Sequence, residues 1–255
     1  MARMLTVMFP TIIRHKTRSV TKSLFRKKAS TTGMGLFALL LPVFLITFNV
    51  SYITNSEWLY AYGWWKNDVA HSSGLTVDNL NSGADQIKRY FRNDVEFLDV
   101  RVSLRGNEVS LYTDREVLHM VDVKALMQSV FAFTWGTGSA LLVLTATGVY
   151  FFKRESVSMA LRSLRWSAIG TGTFLILFGI VALVDFGWLF TQFHFLSFAN
   201  DLWILNPQED YLLIMFPQQF FFDATLFIGL LTVMDFCLIY VTAHYIKGHL
   251  EKSRN

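Results

Sequence analysis

Residues 33–53 read GMGLFALLLPVFLITFNVSYI and contain no charged side chain. A helix needs about 20 apolar residues to cross the hydrocarbon core of a bilayer, so this stretch is long enough to span a membrane. Further apolar runs lie near residues 129–152, 167–190 and 224–246. The sequence therefore predicts four membrane-spanning helices.

The composition of the whole chain agrees with this prediction. Of its 255 residues, 53% are hydrophobic and only 16% are charged, which leaves too few polar groups to cover a compact water-soluble protein. An ordinary cytosolic enzyme is therefore excluded. The single cysteine, Cys237, lies inside the last apolar run, so a disulfide within the chain and a zinc site built from clustered cysteines are excluded as well.

The positive charges follow a membrane-orientation pattern. Eight Lys and Arg residues lie in residues 1–32, four in 153–166 and three from Lys247 onward, whereas 191–223 has none. Short cytoplasmic loops are rich in Lys and Arg, so we place both termini and 153–166 in the cytoplasm and residues 54–126 outside. The net charge of +4 then has a simple origin, and no RNA- or DNA-binding module accompanies it, so we predict no nucleic-acid partner.

We therefore predict an α-helical protein of the cell membrane, with four transmembrane helices and a small extracytoplasmic α+β juxtamembrane cap. The predicted segments are a basic cytoplasmic extension at 1–32, the first span at 33–53, the cap at 54–126, the second span at 127–152, a cytoplasmic loop at 153–166, the third span at 167–190, an extracytoplasmic interfacial loop at 191–223, the fourth span at 224–246 and a cytoplasmic tail at 247–255.

The N-terminal extension precedes the first acidic residue, Glu57. The apolar run that follows it is longer than the 7 to 15 residues of a signal peptide and shows no small-residue cleavage site, which favours an uncleaved signal anchor. The basic composition is also typical of a transit peptide, with Met34 as an alternative start. Apolar residues beside the cations favour a cytoplasmic interfacial helix.

The cap should contain both helix and strand. A polar helix is predicted at residues 78–91, and alternating apolar and polar residues from Val100 to Leu111, with a turn at Gly106-Asn107, predict a β-hairpin. Thr113 and Glu116 have the spacing of a capping box, which should begin a helix that runs towards the second span.

Two aromatic or apolar segments are expected at the membrane surface. An aromatic belt is predicted after the first span and comprises Trp58, Tyr60, Tyr62, Trp64 and Trp65. A short helix should begin at residues 206–209, with Asn206 as its N-cap, and should end or kink at Pro217. Its apolar residues place it at the lipid interface or as a partial re-entry.

Two histidines outside the spans are the main candidates for chemistry. His119 lies on the capped helix, four residues after Arg115 and three before Asp122, so the three side chains share one face. His194 follows the third span. A helix rise of about 1.5 Å per residue puts His194 roughly 10 Å and His119 roughly 10 to 18 Å beyond their spans, near the polar edge of the outer leaflet.

Histidine suits proton transfer because its usual pKa of about 6.5 keeps both protonation states available near neutral pH. Acyl transfer from an ester to an amine needs a base for the amine, stabilisation of the tetrahedral oxygen and an acid for the leaving alcohol. His119 and His194 could share these roles, with Asp122 fixing the tautomer of His119 and Arg115 binding a carbonyl or headgroup. The alternative is that each histidine is an interfacial hydrogen-bonding residue.

Other ionisable residues suggest further hypotheses. His71 lies in a polar loop and is expected to be a solvated surface residue. A metal site of His119, His194 and a carboxylate lacks any HExxH-type spacing, so we predict no metal. Asp185 and Asp235 are costly in lipid and should face the bundle or be protonated, either for packing or as an ion or proton path. No serine-nucleophile elbow or nucleotide-binding glycine motif occurs.

Several segments together resemble the lipoprotein intramolecular transacylase (Lit-type) family of membrane proteins, and the similarity covers about residues 34–247. The matching segments are NSEWLY at 55–60, REVLHMVDVK at 115–124, FHFLSFANDLW at 193–203, NPQED at 206–210, IMFP at 214–217 and the pair Phe220-Phe221.

The resemblance implies a four-span protein with an extracytoplasmic cap. The family's activity would move an acyl chain from the glycerol ester of a diacylglyceryl-cysteine lipoprotein to the α-amino group of the same cysteine, giving an N-acyl lyso-lipoprotein. Its signature histidines fall on His119 and His194, as an acid/base pair, and we assign Arg115, Asn200 and Trp203 to substrate binding. An intramolecular reaction of this kind needs no cofactor.

The expected partners are the lipoprotein N-terminus and membrane lipid, and a membrane-protein partner stays open. Two other functions also stay open. A non-catalytic membrane scaffold or complex subunit is the first alternative, and an ion- or proton-coupled transporter that uses Asp185 or Asp235 is the second.

Overall fold

The protein's structure, a computed structural model, describes the backbone of residues 2–104 and 106–253 and the side chains of residues 24–104 and 106–253. The helices are α1 (Ala2–Asn55), α2 (Glu57–Lys66), α3 (Val69–Ser73), α4 (Val77–Tyr90), α5 (Asp114–Phe152), α6 (Glu155–Val184), α7 (Phe186–Ser197), α8 (Tyr211–Met215) and α9 (Gln218–Lys252), and the strands are β1 (Arg101–Leu104) and β2 (Asn107–Ser110).

Four helices are long and apolar enough to cross a membrane, namely α1 from Leu24 onward, α5, α6 and α9. This confirms the predicted four-helix membrane fold. α1 packs against the other three. At the end of the bundle away from the cap, an apolar cluster joins the four helices and comprises Leu41, Leu45, Leu141, Leu161, Leu164 and Phe236. Because lipid is as apolar as leucine, this packing holds the bundle through van der Waals contact.

The cap is a small α+β unit. The predicted hairpin is confirmed, since β1 and β2 are antiparallel with Val102 opposite Val109, and Gly106 takes the positive φ of 85° that the turn requires. The predicted polar helix is confirmed as α4, whose first turn is capped by Thr76. The apolar side chains of the cap form a core of their own between the hairpin, α4 and the start of α9.

The predicted aromatic belt is wrong for two of its members. Tyr60 and Trp64 are buried in the core of the cap, whereas Trp65 is 79% exposed. The indole of Trp64 donates a 3.1 Å hydrogen bond to the carbonyl oxygen of Met215, so this side chain joins α2 to α8. Only one face of α2 packs against the core of the cap. Neighbouring aromatic residues that lie on different faces of this helix therefore have different environments.

The helix predicted at residues 206–209 is also different in the structure. These residues form a turn, and α8 begins only at Tyr211. Asp210 accepts a hydrogen bond from the backbone N–H of Asn206 and closes this turn. Leu212 and Met215 are buried in the cap core, so α8 is part of the cap rather than an element at the lipid interface.

The third span is interrupted. α6 ends at Val184, and the backbone of Asp185 leaves the helical region, with φ −152° and ψ 85°. The carboxylate of Asp185 accepts a 2.8 Å hydrogen bond from the N–H of Trp188 and so caps α7. The predicted span 167–190 therefore crosses a helix break. The segment 153–166, predicted as a loop, is largely helical, because α6 begins at Glu155.

The N-terminal extension continues α1 as helical backbone from Ala2. The side chains of residues 1–23 lie outside the described residues, so the interfacial placement of this segment stays a prediction. The described side chain of Arg26 forms an exposed 3.1 Å ion pair with Glu155, which joins the start of α6 to α1.

Candidate active site

The capping box predicted at the start of α5 is confirmed. Thr113 Oγ1 accepts from the N–H of Glu116, and the Glu116 carboxylate accepts a 2.7 Å hydrogen bond from the N–H of Thr113. The box satisfies donors that the first turn of a helix otherwise leaves free. One turn later the same helix presents His119, which is only 6% exposed.

The break at Asp185 lets α7 carry His194 next to α5. The ring centroids of His119 and His194 are 6.2 Å apart, and the ring planes are inclined by 32°. His194 is 8% exposed. The structure therefore brings together two imidazoles from separate parts of the chain in a largely buried site near the cap end of the bundle.

The tautomer of His194 follows from its backbone contact. Its Nδ1 lies 2.6 Å from the carbonyl oxygen of Phe190, which only accepts hydrogen bonds, so Nδ1 carries the proton. The lone pair of the neutral ring then lies on Nε2. Burial lowers the pKa of His194 below its ordinary value, and the hydrogen bond to Phe190 opposes this effect in part.

His119 has a different environment. The ring of Phe198 packs edge-on against it, with centroids 5.2 Å apart. Its Nδ1 is buried and has no hydrogen-bond partner among the described residues. Asp122 was expected to fix the tautomer of His119, but no hydrogen bond joins the two side chains among the described residues.

Asp122 instead holds a loop against α5. Its carboxylate accepts a 2.9 Å hydrogen bond from the side-chain amide of Asn200. At the other side of His119, the guanidinium of Arg115 donates to the backbone carbonyl of Asp201. These two hydrogen bonds attach residues 198–203, which we call the site loop, to the face of α5 that carries His119.

Trp203 at the end of the site loop completes the surroundings of His194. Its ring lies 4.9 Å from that of His194, centroid to centroid, with the planes inclined by 31°. The indole Nε1 is buried and has no hydrogen-bond partner among the described residues. Other aromatic rings close to the two imidazoles are those of Phe190, Phe193 and Phe198, and the ring of Phe195 packs against Trp203.

Sequence reasoning missed the second contact of Glu116. Besides closing the capping box, this fully buried carboxylate accepts a 2.6 Å hydrogen bond from the N–H of Leu212 and so attaches α8 to α5. The two residues are 96 positions apart in the chain, and no local pattern indicates such a pair. The contact of Phe190 with His194 was missed as well, although its spacing of four residues on one helix was a usable signal.

The other ionisable residues considered from the sequence are Asp185, Asp235 and His71. Asp235 accepts a 2.9 Å hydrogen bond from Asn49 of α1, and Asp185 caps α7, so each carboxylate has a hydrogen-bonding role between or within helices. His71 is exposed on α3. Across the described part of the chain, no three His, Cys, Asp or Glu side chains lie together in an arrangement that could hold a metal ion.

Four spanning helices, a small α+β cap and a buried histidine pair define an integral membrane protein with a candidate active site near the cap end of its bundle. The family model described as lipoprotein intramolecular transacylase Lit matches residues 35–221, which is most of the chain. The chain therefore belongs to the lipoprotein intramolecular transacylase (Lit) family.

Solved structures of the lipoprotein intramolecular transacylase Lit from Bacillus cereus have the same fold. One is 20% identical, with a TM-score of 0.73, and the match covers 88% of this chain and 97% of that one. A second, of a variant in which one histidine is replaced by arginine, is 18% identical, with a TM-score of 0.74 and coverage of 92% and 99%.

A protein of Aquifex aeolicus (strain VF5), described only as uncharacterized, is 29% identical over 140 residues. The matched stretch is 55% of this chain and spans 60% of the length of that relative.

Proposed function

We propose that this protein is a membrane-embedded acyltransferase. It moves an acyl chain from the glycerol ester of a diacylglyceryl-cysteine lipoprotein to the α-amino group of the same cysteine, and the product is an N-acyl lyso-lipoprotein. The observation that carries this proposal is the pair of neighbouring imidazoles, with ring centroids 6.2 Å apart and buried near the cap end of the bundle, in a member of the Lit family.

The reaction needs proton transfer but no other reactant. The neutral amine attacks the ester carbonyl carbon, so that a C–N bond forms and the carbonyl π electrons move to oxygen. The amine then loses a proton, the bond from the carbonyl carbon to the glycerol oxygen breaks, and that oxygen takes up a proton. One proton has moved from nitrogen to glycerol oxygen, and the charged oxygen has returned to a carbonyl.

The two imidazoles can divide these proton transfers. His194 donates from Nδ1 to Phe190, which leaves Nε2 as an acceptor for the amine proton. His119 lies beside it and supplies the proton to the leaving glycerol oxygen. Two positive charges at this distance repel each other, so protonation of one ring favours the neutral form of the other and helps to pass a proton through the pair.

The surroundings favour acyl transfer over hydrolysis. Phenylalanine and tryptophan rings enclose the imidazoles and exclude water that would compete with the amine. An unperturbed α-amino group has a pKa of about 7.7 to 8.0, so a modest base is sufficient near neutral pH. Holding amine and ester together supplies most of the remaining rate enhancement, and no cofactor is required.

The other candidate residues support this centre. Asp122 and Asn200 position the site loop, and Arg115 uses one of its five N–H donors on the same loop, which leaves others for a carbonyl or headgroup. Trp203 lies against His194 and contributes to the substrate pocket. The lipoprotein N-terminus and its lipid are the partners that this arrangement fits.

The proposed orientation places both termini in the cytoplasm and the cap outside, in the cell membrane, with spans close to those predicted from the sequence. It is supported by the clustering of Lys and Arg at 1–32 and 153–166. Cysteines introduced at exposed Val77 of α4 and exposed Tyr150 near the end of α5 should react with a membrane-impermeant reagent only in the first case.

Coexpression with a diacylglyceryl lipoprotein tests the activity. Mass spectrometry of the lipoprotein N-terminus should show conversion to the N-acyl lyso form at unchanged total acyl content. His119→Ala and His194→Ala should each abolish the conversion. His71→Ala, which removes an exposed histidine of the cap, is the matched control and should convert normally.

Unchanged product from both site variants would overturn the assigned roles. A protein that copurifies with a stable membrane partner but leaves lipoprotein acylation unchanged would instead support the scaffold function.

A further inference from the structure

The indole N–H of Trp203 is the feature of the site that proton transfer leaves unused. It is buried and has no acceptor among the described residues. Indole nitrogen is only a donor, so no rotation or change of tautomer can remove the unsatisfied group. A buried donor without a partner destabilises a folded protein, and most native proteins avoid it.

Trp64, a buried tryptophan of the cap, shows that the fold can satisfy such a group. The indole of Trp64 donates to the carbonyl oxygen of Met215. Trp203, by contrast, lies directly against His194, the ring that we assign as the base. An unsatisfied donor at this position indicates that its acceptor is part of the substrate.

The acceptor that the reaction offers is the ester carbonyl oxygen. This oxygen becomes negatively charged when the amine attacks the carbonyl carbon, and it needs a donor that is already in place. The two histidines exchange protons with the amine and the leaving glycerol oxygen. Neither of them can therefore stay hydrogen-bonded to the carbonyl oxygen throughout the reaction. A separate, permanently protonated donor completes the set of groups that the transfer requires.

We propose that the indole N–H of Trp203 is the oxyanion donor of the site, so that Trp203 is a catalytic residue in addition to the two histidines. This inference rests on the proposed acyl transfer. The N–H donates weakly to the ester carbonyl of the bound lipoprotein and more strongly to the tetrahedral oxyanion. It moves no proton, and the bond changes are those of the transfer itself.

The site loop provides the rigidity that such a donor needs. Asn200, three residues before Trp203, is held by Asp122, and the carbonyl of Asp201 is held by Arg115. Both contacts lie on the helix that carries His119, so they couple the position of the indole to that of the histidine pair. Neighbouring side chains cover the indole N–H. The substrate carbonyl reaches it when these side chains move aside as the acyl chain binds.

Two substitutions at one position test the proposal. Trp203→Phe keeps an aromatic ring against His194 and removes the N–H, and benzothienylalanine at position 203 keeps the indole shape while sulfur replaces the N–H. Trp188→Phe is the matched control, because Trp188 is on the same helix as His194 but is 54% exposed. All are compared in purified full-length protein with a synthetic diacylglyceryl lipopeptide.

Two quantities distinguish an oxyanion donor from a packing residue. Both changes at position 203 should lower kcat on the order of 10²-fold and leave KM nearly unchanged. They should weaken binding of a phosphonate analogue of the lipopeptide ester, which imitates the tetrahedral oxyanion, by the same factor. Trp188→Phe should change neither quantity.

Full activity of the benzothienylalanine protein would overturn the proposal, and so would a fall in kcat with unchanged phosphonate affinity. If Trp203→Phe fails to fold, the isosteric replacement gives the result. Active Trp203 variants beside inactive His119→Ala and His194→Ala variants would reject only this inference. Absence of N-acyl product from the unaltered protein would reject the proposed function as well.

Discussion

The carboxylate of Asp122 on α5 and the side-chain amide of Asn200 in the site loop are joined by a 2.9 Å hydrogen bond, although the residues are 78 positions apart in the chain. Asp122 lies less than one helical turn after His119, and Asn200 lies shortly after His194. This bond therefore connects the two segments that carry the histidines, whereas the sequence suggested His119 as the partner of Asp122.

Removing either partner of this bond should slow the reaction by misplacing the loop. We expect Asp122→Ala and Asn200→Ala each to lower kcat roughly tenfold, since small displacements of reacting groups are costly. The double variant should be no slower than the slower single variant, because both changes remove the same bond. Initial rates of N-acyl formation measure this.

The exposed ion pair of Asp99 and Arg101 at the start of the hairpin provides the control for that experiment. Asp99→Ala should leave the rate unchanged. Multiplicative losses in the Asp122 and Asn200 double variant would show that the two residues act independently, contrary to the structure.

Gly63 lets α2 lie close to α9. A Cβ atom at this position would overlap the ring of Phe220. Gly63→Ala should lower the free energy of unfolding by about 1 to 3 kcal/mol, as expected for overpacking in a core. Thermal unfolding in detergent measures the change.

Gly229→Ala in α9 is the matched control, since a Cβ there meets nothing within 4 Å. Its stability should be unchanged or raised by up to about 1 kcal/mol because alanine favours helix. Equal melting temperatures of the two variants would contradict the close approach at Gly63.

Asn49 stabilises the acidic residue inside the bundle. Its amide donates to Asp235 and to the buried hydroxyl of Thr232. Asn49→Leu should destabilise the protein by about 1 to 3 kcal/mol, because the carboxylate loses its donor in an apolar environment. Asp235→Asn should be close to the unaltered protein, since an amide oxygen can still accept from Asn49.

The double variant Asn49→Leu with Asp235→Leu separates this explanation from simple loss of packing. Replacing both polar partners by apolar groups is often neutral, so it should be more stable than Asn49→Leu alone. A double variant that is less stable than either single variant would disprove the paired role of Asn49 and Asp235. A separate measurement of ion flux tests the transporter alternative, which loss of flux in Asp235→Asn would favour.

Burial of His194 should make stability depend on pH. Its folded pKa is lowered below the ordinary value of 6.5, so at pH below about 6.5 the unfolded chain binds a proton that the folded protein excludes. The free energy of unfolding should therefore fall as pH decreases from 6.5 towards the lowered pKa, by at most about 1.4 kcal/mol per pH unit for this group.

His194→Gln should have a shallower dependence, because glutamine keeps an amide donor for the Phe190 carbonyl but does not titrate. Unfolding midpoints between pH 7.5 and 5.5 measure the slope. His71→Gln, at an exposed histidine, should keep the slope of the unaltered protein. Equal slopes for all three proteins would contradict the burial effect.

Much of the fold could be predicted because its signals are local. Each span is a continuous apolar run, the hairpin is an alternating pattern around Gly106, and the capping box at Thr113 needs only four residues. The predictions that failed concerned the environment of a segment. The belt residue Trp64 and the whole of α8 were placed at the membrane surface, but contacts with distant residues bury them in the cap.

The residues of the candidate site could be predicted from the sequence, but their contacts with distant residues could not. The sequence indicated His119, His194, Asp122, Arg115, Asn200 and Trp203 from their motifs and the face of one helix. It assigned the partner of Asp122 wrongly, because Asn200 competes for that carboxylate only once the site loop folds back onto α5. It did not reveal that Glu116 holds α8 through Leu212.

Membrane insertion and secondary structure depend on the free energy of short segments, so hydropathy, charge and capping patterns were sufficient to predict four spans, a small cap and two candidate histidines. The distance between those histidines depends on the helix break at Asp185 and on hydrogen bonds between residues 78 to 96 positions apart. Such bonds form only when the whole bundle and cap have packed, and for this reason the pairing of the imidazoles is a property of the folded protein.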